Sequence, residues 1–132
     1  MKKTILHLFV WLSVVSCSKD ISSIEYAKSM LVDKIWFLNY SIQNDQIKSF
    51  IGKSTYFISF SNDGTTKDAD GLFGNFLIEE KNKILSLHIN AITQSYIKAN
   101  YSYRIENISS DNLMVSYIQE GHAIKKIFSP TH

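Results

Sequence analysis

The sequence predicts an all-β protein: a small antiparallel up-and-down β-barrel of about eight strands, preceded by a short N-terminal helix. Three observations carry this. From Asp33 onward apolar residues recur every second position, polar turn sequences interrupt that alternation at regular intervals, and the one proline, Pro130, lies beyond the last alternating segment. A proline there removes no ladder hydrogen bond.

Taken in order, Ser22-x-x-Glu25 has the spacing of a capping box. Ile24, Ala27 and Leu31 follow at i, i+3 and i+7, so a short amphipathic helix is expected over 23–31. In the first strand Trp36, Leu38, Tyr40 and Ile42 share one face, with Phe37, Asn39 and Ser41 on the other, and Asn44-Asp45 supplies the turn. A weaker strand is expected over 46–51. The alternation of Tyr56, Ile58 and Phe60 gives another, and Asp63-Gly64 suits the positive φ angles of a tight hairpin. Further strands are expected over 72–79, 84–90, 95–107, 113–119 and 122–128, separated by Lys81-Asn82-Lys83, Ser109-Ser110-Asp111-Asn112 and Glu120-Gly121. Strands repeating every 8 to 12 residues form a meander that closes on itself and so removes its exposed edges.

The N-terminus reads as an address. Lys2 and Lys3 precede an apolar run from Ile5 to Val15, and Val14-Val15-Ser16-Cys17 ends it with a small residue before the one cysteine of the chain. His7 and Ser13 interrupt the run, and Ser18-Lys19-Asp20 follows it, which does not suit a span of about 20 apolar residues. The segment resembles the lipobox of bacterial lipoproteins. That resemblance implies a signal peptide over 1–16, cleavage before Cys17, and acylation of the Cys17 thiol. The chain would then divide into the cleaved segment, a lipid-anchored tether and helix over 17–31, and a barrel domain over 32–132. Ser18 stands where an aspartate would retain a lipoprotein in the inner membrane, so outer-membrane attachment is expected, facing either the periplasm or the exterior.

Removing Lys2 and Lys3 from the 14 basic residues leaves 12, equal to the 12 acidic ones. Only Lys125-Lys126 approaches a basic cluster, so nucleic acid is not an expected partner. With Cys17 acylated, no thiol remains for a disulfide, a metal or a nucleophile.

Trp36, Phe60-x-x-Asp63-Gly64-Thr65, Gly74-Asn75-Phe76-Leu77-Ile78 with Ile84-Leu85-Ser86-Leu87, and Tyr103-x-Ile105-x-x-Ile108-Ser109 with Leu113-x-Val115 resemble the lipocalin-like lipoproteins of bacterial envelopes, over roughly 33–128. The resemblance implies a small up-and-down barrel. Two departures stand out: Lys34-Ile35-Trp36 replaces the Gly-x-Trp of true lipocalins, and no arginine near the C-terminus is placed to stack on the tryptophan.

On this reading Trp36, Tyr40, Tyr56, Phe60, Tyr101 and Tyr103 face the barrel interior, beside Ile58, Ile97 and Ile105. These rings suit a packed core or an aromatic cup for an apolar ligand with a polar handle. The packed core is the expected arrangement, and strands of about six or seven residues leave no depth for a long lipid.

Catalysis is not expected. His88 and His122 are the histidines left between the removed His7 and the terminal His132, and no nucleophile elbow, zinc-binding helix or phosphate loop occurs. Asp68-Ala69-Asp70-Gly71 lacks the ligand order of a calcium loop. Glu79 and Glu80 are adjacent and would point to opposite faces of a strand. No cofactor or metal is implied. The expected function is a non-catalytic binding module for a small apolar ligand, or a scaffold. The alternative is a protein–protein device, such as an inhibitor or immunity protein, acting through a hydrophilic rim loop over 64–72 with Thr65, Thr66, Lys67, Asp68 and Asp70.

Overall fold

In the computed structural model, which describes residues 23–131, a single helix precedes nine strands. Helix α1 is Ser23–Leu31, followed by β1 (Lys34–Gln43), β2 (Gln46–Ser49), β3 (Phe57–Phe60), β4 (Thr65–Asp68) and β5 (Phe73–Lys81). Strands β6 (Ile84–Ile92), β7 (Lys98–Ile108), β8 (Leu113–Gln119) and β9 (His122–Ser129) complete it. The segment 1–16 expected as a signal peptide, Cys17 and the Ser22 half of the expected capping box lie outside the described residues. No helix among the described residues is long and apolar enough to cross a membrane.

All neighbouring strands are antiparallel, and β9 pairs back onto β1 to close the ring. The ring has eight positions because β2 and β3 share one edge of β1: β3 pairs with 34–37 and β2 with 40–43. An antiparallel eight-stranded barrel with one short helix is therefore the architecture, as the alternation predicts.

One ring strand differs from expectation. The stretch 64–72 is not a loop, because Thr65–Asp68 forms β4 between β3 and β5. Four polar residues carry no apolar alternation, yet Thr66 is 1% exposed and its Oγ1 donates to the Ser59 carbonyl, which removes the cost of burying the hydroxyl. Thr65 and Lys67 alternate to the outer face. The weaker strand expected over 46–51 is present as Gln46–Ser49, but it is the return arm of a hairpin with β1 rather than a member of the ring.

The turns follow from local chemistry. Asn44-Asp45, Asn82-Lys83 and Glu120-Gly121 each place two consecutive residues at positive φ, the arrangement whose twist matches that of two-residue hairpins. At 61–64 only Gly64 takes positive φ (91°), following a turn closed by Gly64 N–H donating to the Ser61 carbonyl. Asp63 Oδ1 accepts from the Thr65 hydroxyl and the Thr65 N–H. Those donors hold the Asp63 carboxyl below its usual range, the hydroxyl contributing most.

Helix α1 closes one end of the barrel. Ala27 and Leu31 are fully buried, Trp36 is fully buried beneath them, and Trp36 Nε1 donates to the Leu31 carbonyl at 2.8 Å. That bond satisfies a helix C-terminal carbonyl that would otherwise lack a partner. Phe60 and Phe76 meet edge to face at 5.1 Å in the same region, giving a solid half-core at this end.

Candidate functional site

The opposite half of the barrel is hollow. A chamber of about 180 Å³ lies among Leu38, Ile58, Phe60, Leu87, Ile89 and Val115, with Tyr103 and Lys126 on its wall. A second cavity of about 490 Å³ opens above it, bordered by Tyr101, Tyr103, Tyr117 and Asp68. Ile58, Asp68, Ile89, Tyr103 and Lys126 line both, so they form a collar between chamber and vestibule. The hydrophobic core runs from the helix to Leu72, Ala91 and Ala99, and the chamber interrupts the packing expected throughout the interior.

Strand pairing explains the vestibule. Strand β7 pairs with β6 from Lys98 to Arg104, but β8 joins β7 only from the Arg104↔Ser116 pair onward. Toward the mouth, 98–103 and 117–119 therefore splay apart. Tyrosine rings border the gap, with Tyr101 and Tyr103 stacked at 6.0 Å and Tyr117 edge-on to Tyr103 at 5.3 Å.

The six aromatic residues expected inside fall in different places. Trp36 and Phe60 are buried, Phe60 as the chamber floor and Trp36 below it against the helix. Tyr103 stands in the collar and Tyr101 in the vestibule, where it is 43% exposed. Tyr56 lines the chamber from the side, its ring 4.7 Å from that of Phe50.

Tyr40 is a correction. The ladder slips between Leu38↔Phe128 and Tyr40↔Ile127, so a bulge at Asn39 turns Tyr40 to the face opposite the inward Leu38 and Phe128. Ile97 is a second, lying in the 93–97 turn and 63% exposed, whereas Ile58 and Ile105 do face inward. Of the expected rim residues, Thr66 is buried, Thr65 and Lys67 sit on β4, and Asp68 faces the collar; Asp70 remains on an exposed turn that borders the chamber.

Two collar charges shape the site. Lys126 lies between the inward positions Ile124 and Phe128 on β9 and pairs in register with the buried Val115. Its Nζ sits 5.4 Å from the centre of the Tyr117 ring, and no carboxylate among the described residues lies within ion-pair distance of it. Asp68 uses Oδ1 to accept the N–H groups of Asp70 and Leu72, while Oδ2 has no hydrogen-bond partner among the described residues. Sequence reading missed Lys126, although the phase fixed by Ile124 and Phe128 places it inside.

Burial pushes the Tyr103 hydroxyl well above the usual phenol range, and the nearby Tyr117, Tyr101 and Asp68 groups add to the effect. It therefore remains a hydrogen-bond donor at neutral pH.

The histidines lie away from this site. His88 is on the outer face, with Nε2 3.2 Å from Glu79 and Nδ1 2.8 Å from the Ser102 hydroxyl. His122 Nδ1 is 3.3 Å from the Asn44 side-chain oxygen. Among the described residues no three His, Cys, Asp or Glu side chains converge to hold a metal.

No known protein family, curated protein or solved structure matches this chain. Its class is thus defined by architecture: a closed eight-position barrel, stoppered by a helix at one end and hollow toward the other.

Proposed function

We propose that this chain is a lipid-anchored envelope protein whose lipocalin-like barrel is a non-catalytic binding module for a small apolar ligand. The observation that carries the reading is the chamber, whose walls are mostly apolar, with Asp68, Asp70 and Lys126 as its charged exceptions, and which is reached from the mouth opposite the helix. A dry cavity of about 150 Å³ with such a lining holds one benzene ring, so the chamber suits an apolar group of that size rather than a long acyl chain. Chamber and vestibule together lie in the range of ordinary small-molecule sites.

The lipobox-like segment supplies the anchor, with acylated Cys17 as the first mature residue and the outer membrane as its destination. Helix α1 begins six residues after Cys17. An extended tether of that length reaches about 20 Å, which keeps the stoppered end toward the bilayer and turns the mouth away from it.

A second reading, a protein-binding inhibitor or immunity factor, draws support from apolar side chains exposed at the mouth. Phe73 pairs with Ile92 on the outer face, and Tyr96, 89% exposed, crowns the adjoining turn beside Ile97. On this reading the contact surface would comprise 92–97 and the neighbouring Phe73.

The test joins labelling to recovery. Cells making the full chain, grown with a clickable palmitate analogue, should label the wild type and leave Cys17→Ser unmarked. Native mass spectrometry of the detergent-extracted protein should show a small molecule in stoichiometric amount. An unlabelled wild type contradicts the anchor; an empty barrel holding a polypeptide that is lost on Tyr96→Ser favours the second reading.

A further inference from the structure

The collar carries information about the ligand beyond its apolar part. Two opposite charges, Lys126 from β9 and Asp68 from β4, face the same opening without pairing to each other, and the solvent-exposed Asp70 borders the chamber from the turn after β4. A lysine in an inward phase between Ile124 and Phe128 loses part of its hydration, and its ammonium lies over the Tyr117 ring. Asp68 is half-buried, with one oxygen spent on loop N–H groups and the other without a partner among the described residues. Tyr103 offers a protonated hydroxyl between chamber and vestibule, and that hydroxyl has no hydrogen-bond partner among the described residues.

Neither charge alone defines a site. An anion at Lys126 is repelled by Asp68, and a cation at Asp68 is repelled by Lys126, so a ligand with one charge meets a penalty with each benefit. A neutral molecule leaves both collar charges unmatched. A ligand bearing a carboxylate and an ammonium beside an apolar group matches every feature: carboxylate to Lys126 and the Tyr103 hydroxyl, ammonium to Asp68 Oδ2, apolar group into the 180 Å³ chamber.

We propose that the barrel binds a small zwitterion carrying one apolar or aromatic group, of the class of the free aromatic and branched α-amino acids. This rests on the reading of the barrel as a small-ligand module. Chamber size limits the apolar group to about one ring, which favours a side chain such as that of phenylalanine or leucine.

Isothermal titration of the full chain in detergent with three probes of equal bulk tests this: L-phenylalanine, 3-phenylpropionate and 2-phenylethylamine. Phenylalanine should bind at least about tenfold tighter than either singly charged probe, the increment of one charge-assisted hydrogen bond. Lys126→Met should reduce phenylalanine to the level of phenylethylamine without weakening phenylethylamine. Asp68→Asn keeps an oxygen for the loop N–H groups, and it should reduce phenylalanine to the level of phenylpropionate while tightening phenylpropionate. The probe each variant still binds reports that it is folded.

Equal affinity for all three probes would overturn the zwitterion while leaving apolar ligand binding intact. Phenylpropionate or phenylethylamine binding more tightly than phenylalanine would overturn it in favour of a singly charged ligand. Absence of binding by all three would overturn both this inference and the reading beneath it.

Discussion

Trp36→Ala should lower the unfolding free energy by about 3–5 kcal/mol, the range for removing a large aromatic side chain from a packed core. Trp36 is fully buried between the helix and the barrel floor, and its Nε1–H is the donor to the Leu31 carbonyl. Truncation empties the solid half of the core and leaves a helix C-terminal carbonyl unpaired at once. For a domain whose total stability is about 5–15 kcal/mol, that is a large fraction. Thermal unfolding followed by circular dichroism should show the midpoint falling by more than about 10 °C. Trp36→Phe, which keeps most of the packing, should cost clearly less. A midpoint unchanged by the alanine variant would mean that the helix does not stopper the barrel.

The second large effect is expected at Gly74. This residue is the second of β5, opposite Thr66 of β4 on one side and Ala91 of β6 on the other. A Cβ added there would lie 2.2 Å from the Asn90 carbonyl oxygen and 2.4 Å from the Ala91 Cα. Both are backbone atoms, so neither can give way without breaking the β5–β6 pairing. Ala91 is 5% exposed, consistent with strands that approach closely through small residues. Gly74→Val should therefore cost at least about 3 kcal/mol, the upper end of ordinary overpacking. Denaturant unfolding of the variant checks it, since a midpoint within error of wild type would deny the close approach. Gly121, whose added Cβ meets nothing within 4 Å but whose φ is +79°, should tolerate alanine better than Gly74 tolerates valine.

Much of the fold was legible because period-two patterning and turn chemistry are local. The helix over 23–31 and the strands around 36–42, 84–90, 113–119 and 122–128 coincide with elements of the structure, and the turns at Asn44, Asn82 and Glu120 take the backbone their residues suit. Strand β4 was hidden because Thr-Thr-Lys-Asp offers only Thr66 and Asp68 to the interior, and both are polar. Its place in the ring depends on partners in β3 and β5 far more than on its own composition.

The fate of Tyr40 shows a different limit. Alternation assigns a face only while the register holds, and a single extra residue at Asn39 reverses every face beyond it. Nothing in the run Trp36-Phe37-Leu38-Asn39-Tyr40 announces that slip. The bulge appears only when β1 is laid against β9, where Tyr40 falls opposite Ile127.

The candidate site was legible in part for the same reason. Tyr101, Tyr103 and Phe60 were found by alternation, and they do line chamber or vestibule. Lys126 was read as half of a basic pair and Asp68 as part of a solvated loop, because charged residues are ordinarily outside. Their inward placement follows from the buried neighbours on each strand. The split between a solid helix end and a hollow mouth reflects three-dimensional volume, which no periodicity encodes: Trp36 and Phe76 fill one half, whereas the splay of β7 from β8 opens the other.

The central claim is that the mouth half of the barrel is hollow and takes a small apolar group. Methyl-selective NMR of the labelled protein during titration with toluene tests it most directly. Chemical-shift changes should concentrate at Leu38, Ile58, Leu87, Ile89 and Val115 around the chamber. An unperturbed spectrum, or changes confined to the outer residues Ile47, Ile92 and Ile97, would contradict the account.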